Sequence, residues 1–225
     1  MTAETYSLDV IVSPPFMENT YILRRPDRTD CVIVDPGFQP QRIIQHIEAA
    51  GLTPTHILLT HGHVDHIAGN QALKERWPQI PLLIGRGDAH MLTDAVANLS
   101  GLSGLAITSP PADRLLEEGE TVDAAGFTFE VREIPGHSPG HIVYVLHSES
   151  PVIVLGGDVL FQGSIGRCDF PGGNQSLLVA GIRNKLFTLG DEAVVYPGHG
   201  PHTTVGAERK SNPFCGEKAG LYGLS

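Results

Sequence analysis

Thr60-His61-Gly62-His63-Val64-Asp65-His66 places four metal-capable side chains within six residues. The run directly follows Thr55-His56-Ile57-Leu58-Leu59, an apolar segment with the character of a buried strand. Ligands at the carboxyl end of a strand share a rigid base and face one cavity. On a helix, residues i and i+2 point apart, so His61 and His63 would diverge. A tight loop turns both toward one ion and leaves Asp65 and His66 for a second. A polar turn with chance histidines is a poor alternative for so dense a cluster.

Three segments further along repeat this grammar of strand, then ligand. Glu130–Ile134 leads to Pro135-Gly136-His137-Ser138-Pro139-Gly140-His141. Val152–Leu155 leads to Gly156-Gly157-Asp158, and Ala193–Tyr196 to Pro197-Gly198-His199-Gly200. The flanking glycines let the backbone turn tightly and approach a neighbour closely. Each segment alone is weak evidence, since a histidine after a strand usually has an ordinary hydrogen-bonded place. Together they offer five histidines and two aspartates at strand ends. That number suits two metals: His61, His63 and His137 on one, Asp65, His66 and His199 on the other, and Asp158 bridging with its two oxygens. Nitrogen-rich sites with carboxylates suit zinc first, and also iron or manganese. Two dications about 3.5–4 Å apart lower the pKa of bound water and generate a bridging hydroxide near neutral pH. The residual positive charge favours an anionic substrate or a transition state gaining negative charge.

Other chemistry compares poorly. Ser138 and Ser164 lack a Gly-x-Ser-x-Gly elbow. Cys168 has nothing beside it that clearly makes a thiolate. The glycines of 156–173 lead to no Gly-Lys-Ser/Thr and so make no phosphate loop. Glu117-Glu118-Gly119-Glu120 reads as a solvated turn. His46, His56, His90, His147 and His202 show no partner pattern, and His141 is either structural or an orienting neighbour of His137.

The 225 residues are expected to form a single domain spanning 1–225, with 41% hydrophobic and 18% charged residues. A net charge of −10 without a basic run argues against nucleic acid. Cys31, Cys168 and Cys215 are too few and too scattered for a disulfide framework. A reducing, cytoplasmic setting is therefore expected. No leader pattern and no apolar stretch of about 18 residues occur, so no membrane partner is expected. The oligomeric state stays open. Strands are expected over Tyr6–Val12, Thr20–Arg24, Cys31–Asp35, His56–Thr60, Leu82–Ile84, Phe127–Ile134, Ile142–His147, Val152–Leu155 and Ala193–Tyr196. Helices are expected over Pro40–Ala50, Ile67–Trp77, Asp88–Leu99 and Asn174–Leu189. Ser100–Pro111 reads as a mobile loop or lid, and the chain after Gly200 as polar and irregular.

The opening run resembles the signature of the metallo-β-lactamase superfamily, and the downstream ligands occur in that family's order. The resemblance covers about Asn19 to Pro213 and implies an αβ/βα sandwich of two mixed sheets flanked by helices, with the metals at the sheet edges. Within it, Gly157-Asp158-Val159-Leu160-Phe161, Gly163-Ser164-Ile165-Gly166-Arg167 and Pro197-Gly198-His199-Gly200-Pro201 look like glyoxalase II and its single-domain relatives. So do Thr203-Thr204, Glu208-Arg209 and Asn212-Pro213-Phe214. Those enzymes are hydroxyacylglutathione hydrolases with a dinuclear site, which implies hydrolysis of a small-molecule thioester such as S-lactoylglutathione. Asp65 would then relay a proton as well as bind metal, and Arg167 would help to hold the substrate. The helical carboxy-terminal glutathione-binding domain of the larger enzymes is not expected, and Asp169 stands where glutathione-binding members tend to have tyrosine. Asp158 stands where the common zinc β-lactamases have a cysteine. Gly166-Arg167-Cys168-Asp169-Phe170 also resembles mononuclear iron persulfide dioxygenases, which give the alternative reading. Lactone or phosphodiester hydrolysis is a lesser one.

Overall fold

The computed structural model describes residues 5–101 and 104–219. Six strands form the first sheet in sequential order: β1 (Ser7–Ser13), β2 (Glu18–Arg24), β3 (Asp30–Val34), β4 (Thr53–Leu58), β5 (Leu82–Gly85) and β6 (Arg114–Leu116). β1 to β3 pair antiparallel, and β3 to β6 pair parallel. The second sheet runs β14-β13-β10-β9-β8-β7, built from β7 (Thr121–Ala124), β8 (Phe127–Glu133), β9 (Ile142–Leu146), β10 (Ile153–Gly157), β13 (Val194–Pro197) and β14 (Thr203–Thr204). β10 and β13 pair parallel, and the other pairs are antiparallel. A two-stranded ribbon joins β11 (Leu160–Phe161) to β12 (Ser164–Ile165).

Alternation along the strands produces the layers. Tyr21, Leu23, Val32 and Val34 of the first sheet meet Phe129, Tyr144, Leu146 and Leu155 of the second in one buried cluster. Their neighbours Ile22, Cys31 and Ile33 point the other way, onto Ile43 and Ile47 of α1 (Pro40–Ala49) and Leu73 of α3 (Asn70–Arg76). Val143, Val145 and Val154 likewise pack outward against Leu178 of α4 (Gln175–Gly181) and Ile182 and Leu186 beyond it. Period two on a strand sends successive side chains to opposite faces, so strands apolar on both faces lie between a helix layer and the other sheet. Each such Leu, Ile or Val contributes about 1.5–3 kcal/mol when fully buried. The strand ends are a stiff platform for the loops that leave them.

Several expectations need correction. The expected helix Ile67–Trp77 is two pieces, α2 (Val64–Ile67) and α3, so Asp65 and His66 stand on a helical turn and not on a loop. The break is at Gly69, whose N–H donates to Pro36 O at 2.8 Å and where a Cβ would lie 2.8 Å from Pro36 O and Gly37 O. Over Asp88–Leu99 the chain forms a 3-10 segment, Arg86–Leu92, followed by turns. Over Asn174–Leu189, α4 gives way to a π segment, Ile182–Leu186, and a 3-10 turn, Phe187–Leu189. Strands β6 and β7 flank the expected Glu117–Glu120 turn. The chain after Gly200 is not irregular: β14 and α5 (Val205–Ser211) follow. Part of the expected loop Ser100–Pro111, residues 102 and 103, lies outside the described residues. The remainder is tied down, since Asn98 Nδ2 donates to Met91 O and Ile107 O. No helix among the described residues is long and apolar enough to cross a membrane.

Candidate metal centre

The two sheets touch at one edge. Ile142 N–H donates to Thr60 O at 2.9 Å, and the Tyr144 hydroxyl donates to Leu59 O at 3.0 Å. Asn19 N–H donates to Gly198 O at 2.7 Å, and Glu18 and His199 form an antiparallel bridge. The four ligand-bearing segments leave their strands around this junction. His61 and His63 follow β4, His137 follows β8, Asp158 follows β10 and His199 follows β13. The geometry brings all seven expected residues together. One ligand atom each of His61, His63 and His137 lies within 4.8 Å of the others, and the same holds for Asp65, His66 and His199. Asp158 stands between the two groups. Its Oδ1 is 3.5 Å from His66 Nε2, and its Oδ2 is 3.5 Å from both His137 Nε2 and His199 Nε2.

The hydrogen-bond network assigns the ring nitrogens. The Thr60 hydroxyl donates to Asp35 Oδ2 at 2.6 Å, so Thr60 Oγ1 accepts from His61 Nδ1–H at 3.1 Å. His66 Nδ1–H donates to Asp35 Oδ2 at 3.1 Å. His137 Nδ1–H donates to Arg167 O at 2.8 Å, and His199 Nδ1–H to Phe16 O at 3.1 Å. Each of these four rings therefore turns Nε2 inward, the arrangement in which an outer hydrogen bond orients a metal-binding imidazole. His63 instead directs Nδ1 to His137 Nε2, 2.9 Å away. The decisive observation concerns atoms left over. His61 Nε2, His66 Nε2 and Asp158 Oδ1 are buried with no hydrogen-bond partner. Leaving such groups unpaired costs about 1–3 kcal/mol each or more. A divalent cation coordinated by nitrogen and carboxylate oxygen would satisfy all three, so the residues present fit one.

Three residues without an assigned role in the sequence reading complete the frame. Asp35 directly follows β3 and takes the Thr60 N–H at 2.7 Å, the Thr60 hydroxyl and His66. It obeys the same rule of a strand followed by an acidic residue and Pro-Gly, which is the signal that could have found it. Asp88 accepts from Gly62 N–H at 3.2 Å, from the Ser138 hydroxyl at 2.5 Å and from Gly140 N–H at 2.6 Å. It thus staples the first ligand loop to the His137 loop. Glu18 is wholly buried beneath Gly37. His141 proves to be a neighbour of the centre. It stacks on His61 with centroids 4.7 Å apart, and its Nε2 accepts the Asp158 N–H at 3.0 Å. His46 and His147 pair with surface carboxylates of Asp9 and Glu130.

Electrostatics separates the two clusters. Burial, reinforced by His66, His141 and His63, holds His61 well below the ordinary histidine range. Burial and His137 push His63 down to about 3. Burial opposes a proton on His66, but Asp65, Asp158 and Asp35 outweigh it and raise His66 well above that range. Burial likewise opposes His199, yet its bond to Asp65 raises it. Burial would raise Asp65, and His66 and His199 bring it down instead. A metal ion entering the Asp65–His66–His199 cluster must therefore displace protons, while His61 and His63 are already neutral at pH 7. Affinity at the former should climb with pH until the raised His66 has lost its proton. His61 and His63, neutral already, should add no such pH dependence near neutrality. Titration calorimetry in buffers of different ionisation enthalpy reads the released protons. Equal release at both clusters would contradict this assignment.

A cavity of about 630 Å³ opens onto the clusters. His63, Asp65, His137, Asp158 and His199 form its floor, with Phe16, Val64, Leu99, Phe161, Ile165, Phe170, Ser164 and Arg167 around them. α5 shapes one wall, because Glu208 accepts the Gly163 N–H and Asn212 donates to Ser164 O, each at 2.9 Å.

The metallo-beta-lactamase superfamily model matches residues 13–199. The chain belongs to the metallo-beta-lactamase superfamily. It is 43% identical over 201 residues to a Bacillus subtilis (strain 168) protein named "Probable metallo-hydrolase YqgX", covering 89% of this chain and 93% of that one. It is 36% identical over 219 residues to hydroxyacylglutathione hydrolase GloC of Haemophilus influenzae, covering 95% and 100%. Among solved structures, BLEG-1 B3 metallo-beta-lactamase superposes with a TM-score of 0.88 at 40% identity, over 93% of this chain and 99% of that one. TTHA1623 in a di-iron-bound form superposes with a TM-score of 0.80 at 37% identity, over 92% and 99%. Two mixed sheets flanked by helices are thus the superfamily fold. With its His/Asp clusters, the chain is a metal-dependent hydrolase of this superfamily.

Proposed function

We propose that the chain, as a single domain, is a dinuclear metal hydrolase of thioesters, with S-lactoylglutathione or a related hydroxyacyl thioester as substrate. The observation that carries the reading is the placement of Asp158, one oxygen toward His66 and the other toward His137 and His199. A carboxylate so placed could serve an ion in either cluster. His61, His63 and His137 would hold the first ion, and Asp65, His66 and His199 the second. The similarity to a di-iron structure and to a hydroxyacylglutathione hydrolase supports it, and zinc, iron or manganese would each suit the donor set. When bound, such a pair supplies Lewis acidity and a water acidic enough to be nucleophilic near neutral pH.

The chain's own groups do the rest. The apolar cavity wall excludes water from the reacting carbonyl and so strengthens every charge interaction at the floor. Asp65, whose Oδ2 lies 3.2 Å from His199 Nε2, would take up the proton that the attacking water gives up and relay it to the departing thiolate. Arg167, on the cavity wall, would help to hold the thiol arm.

Metal quantification and assays on one preparation test the reading. Two ions per chain with anaerobic cleavage of S-lactoylglutathione are expected. One iron per chain with oxygen uptake on glutathione persulfide would replace it with the dioxygenase reading. Cleavage of a β-lactam alone, as the similarity to BLEG-1 would have it, would replace the substrate class.

A further inference from the structure

Of the five non-glycine residues at positive φ among the described residues, Leu99 is the one that lines the cavity. Its φ is +72°. Glycine adopts that left-handed conformation freely, whereas a leucine Cβ crowds its own backbone there. A glycine at 99 would relieve the strain, yet the chain carries a branched apolar side chain. Phe16, Phe161 and Phe170 line the same cavity from ordinary backbone. Strain of this kind persists only where the surroundings over-determine it, and it clusters at sites that meet a ligand.

The surroundings of Leu99 do this. Asn98 and Ser100, on either side of it, are fully buried. Asn98 Nδ2 donates to Met91 O at 3.1 Å and to Ile107 O at 2.9 Å, and Asn98 Oδ1 accepts the Ser100 N–H at 3.0 Å. Ser100 Oγ accepts the Ile107 N–H at 3.0 Å. Both neighbours are held inward, and the side chain between them is the one that lines the cavity. The segment is also tied to the candidate metal centre. Val64 N–H donates to Asn98 O at 3.0 Å, and Val64 opens the helical turn that carries Asp65 and His66. A wall so fixed cannot shift to admit extra bulk without straining its neighbours. The reading above gives the Arg167 wall to the thiol arm. That wall hangs from His137, through the Arg167 carbonyl, whereas Leu99 is tied to Val64, so the two rise from different ligand segments. The Leu99 wall is left to the acyl group. We propose that Leu99 limits the size of the acyl group, admitting small hydroxyacyl thioesters and excluding those with a bulky substituent. The inference rests on the thioester reading above and names the part of the substrate that this wall reads.

The test varies the acyl group on a constant thiol, then the thiol on a constant acyl group. The metal-loaded protein is assayed with S-lactoylglutathione, with S-mandeloylglutathione, in which phenyl replaces methyl, and with the lactoyl thioester of N-acetylcysteamine. The wild type should favour lactoyl over mandeloyl about tenfold or more in kcat/KM, a discrimination within reach of an apolar pocket wall. Leu99→Gly should narrow that ratio about tenfold and leave the ratio of the two lactoyl thioesters where it was. Thermal unfolding checks the backbone argument. Leu99→Gly should melt at or above Leu99→Ala, because both lose the side chain and glycine alone sheds the strain. An unchanged lactoyl-to-mandeloyl ratio in Leu99→Gly, a shift confined to the thiol pair, or a glycine variant melting well below the alanine one would overturn the proposal. If no thioester is cleaved, binding of lactate and mandelate to the metal-loaded protein takes the place of turnover. Tighter mandelate binding in Leu99→Gly, with lactate unmoved, would then keep the role of Leu99 while the thioesterase reading falls, and no such gain would remove both.

Discussion

Asp158→Ala should lose at least one of the two proposed ions and lower kcat/KM about a thousandfold, the scale of removing a preorganised electrostatic group from a reaction centre. The argument is one of position. Asp158 Oδ1 is 3.5 Å from His66 Nε2, and Oδ2 is 3.5 Å from both His137 Nε2 and His199 Nε2, so this one side chain reaches ring nitrogens of both clusters. His141 and its bond to the Asp158 N–H fix the backbone, which leaves the side chain as the variable. His61→Ala should behave similarly, for its Nε2 is buried without a hydrogen-bond partner and the residue belongs to two of the three metal-capable groupings among the described residues. Metal analysis with steady-state kinetics checks both. Either variant turning over at the wild-type kcat with no metal present would remove the basis of the mechanism.

Asp35→Ala should weaken metal at the Asp65–His66–His199 cluster about 10- to 100-fold, the usual cost of losing an outer-shell partner. It should also destabilise the fold by about 3–5 kcal/mol, as when one member of a buried charged network is removed. Asp35 is 2% exposed and sits at φ +49°, a left-handed conformation that aspartate and asparagine accept more readily than alanine. Its removal strands the Thr60 N–H, the Thr60 hydroxyl and His66 Nδ1–H together. Asp35→Asn separates the terms, since it keeps the backbone preference and one acceptor but not the charge. Chelator competition and urea unfolding of the three proteins are the measurements. An alanine variant that binds metal as tightly as the wild type would show that His66 needs no orienting.

Much of this centre was legible because its residues obey local rules. A buried strand followed by glycine and a histidine or aspartate recurs at His61, His137, Asp158 and His199, and the junction of the sheets gathers all four. What escaped has partners chosen by tertiary structure. Nothing near Asp88 in sequence announces that Gly62, Ser138 and Gly140 will converge on it. α5 was hidden because Glu208 and Asn212 face inward to hold the 161–164 hairpin, and polar residues facing inward look like a solvated tail. β6 and β7, three and four residues long, are too short for alternation to show. The helix expected over Ile67–Trp77 broke at Gly69 because the Pro36–Gly37 backbone needed that space.

Because His61, His63, Asp65 and His66 come from the amino-terminal half of the chain and His137, Asp158 and His199 from the other, a cation held at this seam would act as a rivet between two layers. The Asp65–His66–His199 group is complete only once β13, which leads into His199, has docked. Molecules in which β13 has not docked would keep the His61–His63–His137 half of the cradle and lack the other, so the second half closes only when the two layers have met.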